Sequence, residues 1–342
     1  MFLRETTGRM REGANLTRDE VCTAVERLVA EDIPPEEKAD FLTALADKGE
    51  TDEELAFFAL ELREMAVRVP LAEDVATLDV CGTGGDGLNT FNISTTVAIL
   101  CAAAGVPVAK HGNRAITSQS GSADVLNALG IPTDLSPEDA ATSIQERNFA
   151  FLFAPMYHPA FKHIAPARKL CAERGQRTLF NFLGPLLNPA RPRAQLIGVP
   201  RADLCGPMAR VLQQLGIPRG MVVCGQAEGR AMDELSILGS TTVAEFYQEG
   251  AFAESELDPA ILGLPEATLS ELEGGDAEAN AGHVRAVLNG SDTGARRSAV
   301  VLNAGAALMV ADRAKSIAEG MELARSVIDD GRAAAKLAEL AA

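Results

Sequence analysis

From about residue 76 onward, short apolar runs alternate with longer stretches of helical spacing: TLDVCG, VPVAK, NFAFLFAP, AQLIGVP, RGMVVCG and SAVVLNAG. A strand that is apolar on both faces must be covered on both, and parallel neighbours need a crossover between them, usually a helix. The alternation therefore predicts a mostly parallel sheet flanked by helices, with all six runs as strands. The preceding residues carry no strand pattern. Thr17 with Glu20 and Thr51 with Glu54 form capping boxes, the pair Pro34–Pro35 opens the segment between them, and Pro70 closes the last helix. Val21, Ala24, Val25 and Leu28, then Leu55, Phe58 and Leu62, give each helix one buried stripe. The expected architecture is α/β with a smaller all-α N-terminal domain: residues 1–75, joined by about 165–185, and an α/β domain over 76–342. A chain of 342 residues is long enough for two cores. Residues 178–192 read as an apolar connector, and the acidic, Pro- and Gly-interrupted stretch 254–275 as a surface excursion.

Charge narrows the partners. A formal net charge of −17 opposes a polyanionic partner, whose sequence-independent affinity comes from clustered Lys and Arg, so nucleic acid is not expected. Small anions respond instead to the field inside one cleft. The six cysteines show no C-x-x-C spacing, so neither a zinc knuckle nor a redox dithiol is suggested, and buried reduced thiols are expected. Met1 to Arg11 is charged rather than a secretory leader, and no stretch reaches the ~18 apolar residues of a spanning helix. No membrane association and a cytoplasmic location are the expectations.

The loop Gly82-Thr83-Gly84-Gly85-Asp86-Gly87 follows the run LDVC and precedes a helix expected from about Ser94 to Ala104. It matches G-x-G-x-x-G, but a dinucleotide site also needs an acidic residue at the end of the second strand. Lys110 and His111 stand there, and no Gly-Lys-Ser/Thr completes a Walker loop. Phosphate binding survives both exclusions: glycines admit backbone amides close to an anion, and the following helix adds its unpaired N–H groups. Asn92, Ser94 and Thr95 put further donors on that first turn, though such residues are also ordinary helix caps. The second strand runs into AKHGNRAITSQSGSADVL, where Lys110, His111 and Arg114 gather cationic donors beside Gly112, Gly121, Asn113, Thr117, Ser118, Ser120 and Ser122. A solvated polar loop is the competing account of that segment. Two adjacent strand ends carrying anion loops point to a pyrophosphate site beyond the carboxyl edge of the sheet.

The segments DVCGTGGDGLNTFNIST, KHGNRAITSQSGSADVL, YHPAFKHIAPARKL and NFLGPLLNPARP, in that order, closely resemble the anthranilate phosphoribosyltransferases, over nearly the whole chain. The resemblance implies transfer of the ribosyl group of phosphoribosyl pyrophosphate (PRPP) to the amine of anthranilate in tryptophan biosynthesis. It also implies magnesium as cofactor and a homodimer with the substrates meeting between two domains. By the same resemblance, PRPP would contact Gly82, Gly85, Asp86, Thr90, Asn92, Ile93, Ser94 and Thr95. Its other contacts would be Lys110, His111, Gly112, Asn113, Arg114, Ala115, Ile116, Thr117, Ser118 and Ser122. Anthranilate would meet Gly82, Asn113 and Arg168, and magnesium would meet Ser94, Asp233 and Glu234. Ala115, Thr117 and Gln119 depart from the residues commonest in the family. No residue is assigned as a general base, and His158 and His163, five apart, are expected to pack rather than ligate. Two alternatives stay open at this stage. One is a pyrimidine nucleoside phosphorylase-like enzyme, which shares the glycine loop; the other is a non-catalytic nucleic-acid-binding homologue.

Overall fold

The computed structural model describes residues 1–115, 119–247 and 250–342. Four helices come first, α1 (Phe2–Arg11), α2 (Arg18–Val29), α3 (Pro35–Lys48) and α4 (Asp52–Glu64). The first has little signal in the sequence, because its apolar stripe is short and two of its inward positions are threonines. Leu3, Thr6, Thr7 and Met10 face inward, and Thr7 satisfies its hydroxyl by donating to the Leu3 carbonyl at 2.6 Å. Both capping boxes form as the spacing required. The fourth helix stops well before Pro70, and the Val67 N–H instead donates to the Tyr157 carbonyl at 2.9 Å.

The remainder is α/β: β1 (Leu78–Gly82), α5 (Ile93–Ala103), β2 (Val108–Gly112), α6 (Ser122–Ala128), α7 (Pro137–Arg147), β3 (Phe149–Phe153) and α8 (Ala154–Tyr157). Next, α9 (Ala165–Glu173) returns to pack on α3, and β4 (Ala194–Gly198), α10 (Cys205–Gln214) and β5 (Arg219–Ala227) resume the sheet. The hairpin strand β6 (Arg230–Met232) and the antiparallel β7 (Thr241–Phe246) and β8 (Ala253–Leu257) complete it, followed by α11 (Ala277–Leu288), α12 (Ala295–Val310), α13 (Ile317–Asp329) and α14 (Arg332–Leu340).

The strand order is β3-β2-β1-β4-β5-β7-β8, with β6 on β5; β3 through β5 run parallel and the rest antiparallel. The chain builds outward from β1 to β3, then returns to place β4 on the other side of β1. That reversal makes the carboxyl ends of β1 and β4 a topological switch point, where open α/β sheets bind ligands. Alternate strand residues serve two cores. Leu78, Val80, Leu196, Met221 and Val223 join α5 and α12, whereas Cys81, Ile197, Val222 and Cys224 join α10 and a core continuous with the N-terminal helices.

Two further expectations need correction. SAVVLNAG is no strand but the middle of α12, where Ala299 through Ala304 are all buried. A short apolar run has no period of its own, and a helix buried on every side reads like a buried strand. The packing against its neighbour is equally tight: a methyl on Gly305 or Gly320 would run into the facing backbone of α13 or α12. The stretch 254–275 is also not all excursion, since most of β8 lies in it and pairs antiparallel with β7, Val243 opposite Ser255. Its exposed glutamates hid it; a charged edge strand is protected from pairing with other chains.

Candidate functional site

The glycine loop leaves β1 with Gly84, Gly85 and Gly87 at φ of 77°, 86° and 68°, a region that disfavours side chains. Thr83 anchors it by donating its N–H to the Gly198 carbonyl at 2.9 Å. Between β6 and β7 the chain carries Asp233 into this turn from 149 positions away, where its Oδ2 accepts the Gly84 N–H at 2.7 Å. Gly82 must be glycine for the same reason, because a methyl there would collide with the Asp233 carboxylate. Asp86 closes the loop, accepting the Leu88 N–H at 3.0 Å and the Asp233 N–H at 3.4 Å.

Glu234 accepts the Ser94 N–H at 3.1 Å, on the first turn of α5. Lys110, only 1% exposed, donates its Nζ to the Val80 carbonyl at 2.6 Å and to Ser94 Oγ at 3.3 Å. Burial, then mutual repulsion among the carboxylates, pushes Asp233 up to about 8 and Glu234 well above the usual carboxylate range. Burial likewise lowers Lys110, opposed in part by Asp79 and Glu234. One lysine faces two carboxyl groups here, so the pocket favours their protonated forms. A divalent cation on Asp233, Glu234 and Ser94 would favour the ionised forms instead. No group of three or more His, Cys, Asp or Glu side chains forms a metal cage among the described residues. Two carboxylates and a hydroxyl suit magnesium, which keeps its other positions for water and phosphate oxygens.

The other expected residues divide clearly. Asn92 is the N-cap of α5 yet makes no side-chain cap bond, so its amide serves something else. Thr95 is buried, with no partner for its hydroxyl among the described residues, and Ile93 points into the core, leaving only its backbone for a ligand. Thr90 is held by a bridge to Glu273. At the end of β2, His111 donates its N–H to Asp79 Oδ1 at 3.3 Å, and Gly112 lies so close to Ser122 and the Phe151 ring that a methyl would not fit. The Asn113 carbonyl accepts the Ser122 hydroxyl at 3.2 Å, the Ala115 N–H donates to Asp124 at 3.0 Å, and Arg114 lies 5.7 Å over Phe153. Ile116, Thr117 and Ser118 lie outside the described residues.

Arg168 sits on α9, half-buried, its guanidinium 5.2 Å over the Phe180 ring. It has no carboxylate partner, and no hydrogen bond joins it to Gly82 or Asn113, among the described residues. A row of rings leads from it toward β2: Phe180 to Phe161 at 5.7 Å, Phe161 to His158 at 5.1 Å, His158 to His111 at 5.2 Å. His163 stays outside this row, 3.4 Å from Glu31. Burial depresses His111 to about 3 and His158 to about 4, so both imidazoles are neutral at physiological pH. A depressed folded-state value contributes stability above the ordinary 6.5 that is lost as pH falls toward about 4. In a His158→Asn variant, melting temperature should therefore fall less steeply than in the natural protein between about pH 6.5 and 4. Equal slopes in thermal melts would refute this.

Several site residues carry little or no signal in the sequence. Gly198 reads only as a strand residue; a glycine ending a strand often marks close backbone approach, and here a methyl would overlap the Asp233 carbonyl. Asp79 is fully buried, raised by desolvation to about 6, and accepts the Asn188 amide at 2.8 Å, tying the 178–192 connector to β1. A carboxylate inside an apolar strand was its signal. Arg230 donates to the Gly87 carbonyl at 2.7 Å and had no sequence signal. Two surface cavities, about 320 Å³ beside α7 and about 540 Å³ beside α1, contain none of the residues assigned to substrate or metal.

Known proteins resemble this chain in sequence and fold. Residues 74–334 match the glycosyl transferase family, a/b domain, and residues 4–66 match its helical bundle domain. The anthranilate phosphoribosyltransferase of Geobacter sp. (strain M21) is 44% identical, covering 100% of this chain and 98% of that protein. The enzyme of that name from Rubrobacter xylanophilus is 45% identical, covering 98% and 96%. Among solved structures, anthranilate phosphoribosyltransferase from Thermus thermophilus has a TM-score of 0.89 at 40% identity over 98% of both chains. The Saccharomyces cerevisiae enzyme in complex with PRPP and Mg has a TM-score of 0.82 at 28% identity, covering 94% and 91%. Sequence and backbone agree from end to end, helical bundle and α/β sheet alike, and this chain belongs to the anthranilate phosphoribosyltransferase family.

Proposed function

We propose that the protein transfers the 5-phosphoribosyl group of PRPP to the amine of anthranilate, giving N-(5-phosphoribosyl)anthranilate and pyrophosphate. The observation that carries this is the convergence, at the β1/β4 switch point, of a glycine loop, a buried lysine and two buried carboxyl groups. Breaking the bond from ribose C1 to the pyrophosphate leaves a cationic sugar and an anionic leaving group. In this proposal the loop amides of Gly85 and Asp86 beside Gly82, the side chains of the Asn92 to Thr95 turn, and Lys110 face the place where that negative charge develops. The segment from His111 to Ser118, with Ser122, completes the PRPP contacts in this proposal, and Thr90 shapes the loop. Magnesium, held by Ser94, Asp233 and Glu234, would supply positive charge to the departing diphosphate.

Arg168, stacked on Phe180 and without a carboxylate partner among the described residues, suits a substrate carboxylate, since a guanidinium can grip it with two parallel hydrogen bonds. Gly82 and Asn113 would border the ring of the same substrate. The aromatic amine already has a free lone pair at neutral pH, so positioning beside C1 suffices, and no side chain is assigned as base. Arg168→Ala should raise the KM for anthranilate by about 10- to 100-fold, the value of a hydrogen bond to a charged group, and leave that for PRPP nearly unchanged. Equal changes in both constants would refute the role. The division at residues 75/76, with 165–185 joining the helical part, a homodimer and a cytoplasmic location belong to the same proposal. Among the described residues, no helix is long and apolar enough to cross a membrane.

The direct test is loss of anthranilate fluorescence on mixing the protein with PRPP and magnesium. Cleavage of thymidine by phosphate, with anthranilate untouched, would instead establish the phosphorylase alternative.

A further inference from the structure

We propose that Asn280 is a positioning residue that orients the Asn92 amide, turning its NH2 group toward the phosphoribosyl site; this rests on the PRPP assignment above. The assignment of atoms starts from a group that can only donate. The backbone N–H of Gly275 points at Asn280 Oδ1 at 2.8 Å, which makes the other terminal atom of that amide its nitrogen. That Nδ2 donates to Asn92 Oδ1 at 2.9 Å and to the Gly275 carbonyl at 3.2 Å. The oxygen of Asn92 is therefore taken, and its NH2 faces the opposite way, toward the second anion loop, with a long 3.5 Å approach to the Ser120 carbonyl as its one hydrogen-bond contact among the described residues.

The surroundings keep this arrangement from relaxing. Asn280 is 3% exposed on α11 and comes from 188 positions along the chain. The segment before it is laid against the NTFN turn: Phe91 N–H donates to the Leu272 carbonyl at 3.0 Å and Gly274 N–H to the Asn89 carbonyl at 2.9 Å. A methyl on Gly274 would stand 2.9 Å from the Phe91 backbone, so only glycine allows this approach. Helix capping does not account for the Asn92 side chain, which makes no cap bond to α5. An amide NH2 offered to a phosphate or ribose oxygen attracts it, whereas the amide oxygen in the same place would repel a phosphate.

Asn280→Asp tests this. Aspartate still accepts the Gly275 N–H but cannot donate to Asn92, whose amide then turns its NH2 toward residue 280 and its oxygen toward the cleft. PRPP affinity, measured by calorimetry with magnesium, should weaken about 10- to 100-fold, while the KM for anthranilate holds. In an Asn92→Ala background the same substitution should change PRPP affinity less than about 3-fold, because no amide is left to turn. An unchanged affinity in Asn280→Asp, or an equal loss in both backgrounds, overturns the proposal. Failure of the natural protein to take up PRPP removes the substrate assignment, and this inference with it. Should Asn280→Asp not fold, the natural chain decides. The Asn92 side-chain NH2 resonance, assigned by its loss in Asn92→Ala, should shift on adding PRPP and magnesium; a resonance that stays in place overturns the orientation.

Discussion

Replacing Lys110 with methionine should lower kcat by about 10²- to 10³-fold at saturating substrates, the usual cost of removing one preorganised donor from a developing anion. The side chain is buried, fills nearly the same volume as methionine, and places its only charge between the Val80 carbonyl and Ser94 Oγ. Its removal acts twice. On the proposed chemistry the leaving pyrophosphate would lose a cation that needs no reorganisation, and Asp79 and Glu234 lose the one positive charge that opposes their desolvation. Breaking a buried charge arrangement by deleting one partner costs about 3–5 kcal/mol when the other stays ionised. These carboxylates are already pushed up by burial and can take protons instead, so the stability loss should fall below that range. The expected signature is thus a large fall in kcat with a modest fall in melting temperature, from steady-state kinetics and calorimetry on one preparation. A Lys110→Met enzyme within about tenfold of the natural kcat would remove Lys110 from the proposed chemistry.

Gly198→Ala should cost about 100-fold in kcat and raise the magnesium concentration needed for half-maximal activity. The residue touches no proposed substrate, but a methyl on it would overlap the Asp233 carbonyl, and backbone yields far less readily than a side-chain tip. The strand end or the Asp233 turn must move, and a displacement near 1 Å is enough for a loss of about 10² when reacting groups depend on position. Overpacking should also destabilise the fold by about 1–3 kcal/mol. The informative control is Gly216→Ala, where the glycine has φ of 76° and open space around it. That variant should lose stability through backbone strain yet keep its magnesium requirement. If both substitutions shift the metal requirement alike, crowding of Asp233 is not the cause.

The parallel β/α alternation, both capping boxes and the glycine turn between β1 and α5 were legible from residues close together in the chain. Helix caps act over about three or four residues, strand burial over about five, and an anion loop over roughly six, and each leaves a local pattern. Lys110 and His111 at the end of β2 were readable for the same reason, because a cation where a dinucleotide site needs an acid is a local contradiction. Arg168 and the pair Asp233–Glu234 were different: nothing around them distinguishes them from surface charges, and only the family resemblance singled them out.

The sequence alone determined which loops carry glycines and cationic or hydroxyl donors; the folded sheet decided which of them meet. Strand order reverses between β1 and β4, and that reversal brings Gly82, Gly198 and Asp233 into contact although no periodicity relates them. The same holds for Asn280 on Asn92 and Asn188 on Asp79. SAVVLNAG shows the limit from the other side, since burial on all faces erases the difference between a strand and a helix until the neighbours are in place. Local chemistry is written in short stretches of sequence because short-range sterics and hydrogen bonding create it. Convergence across the chain is a property of packing, and becomes visible only once the layers are assembled.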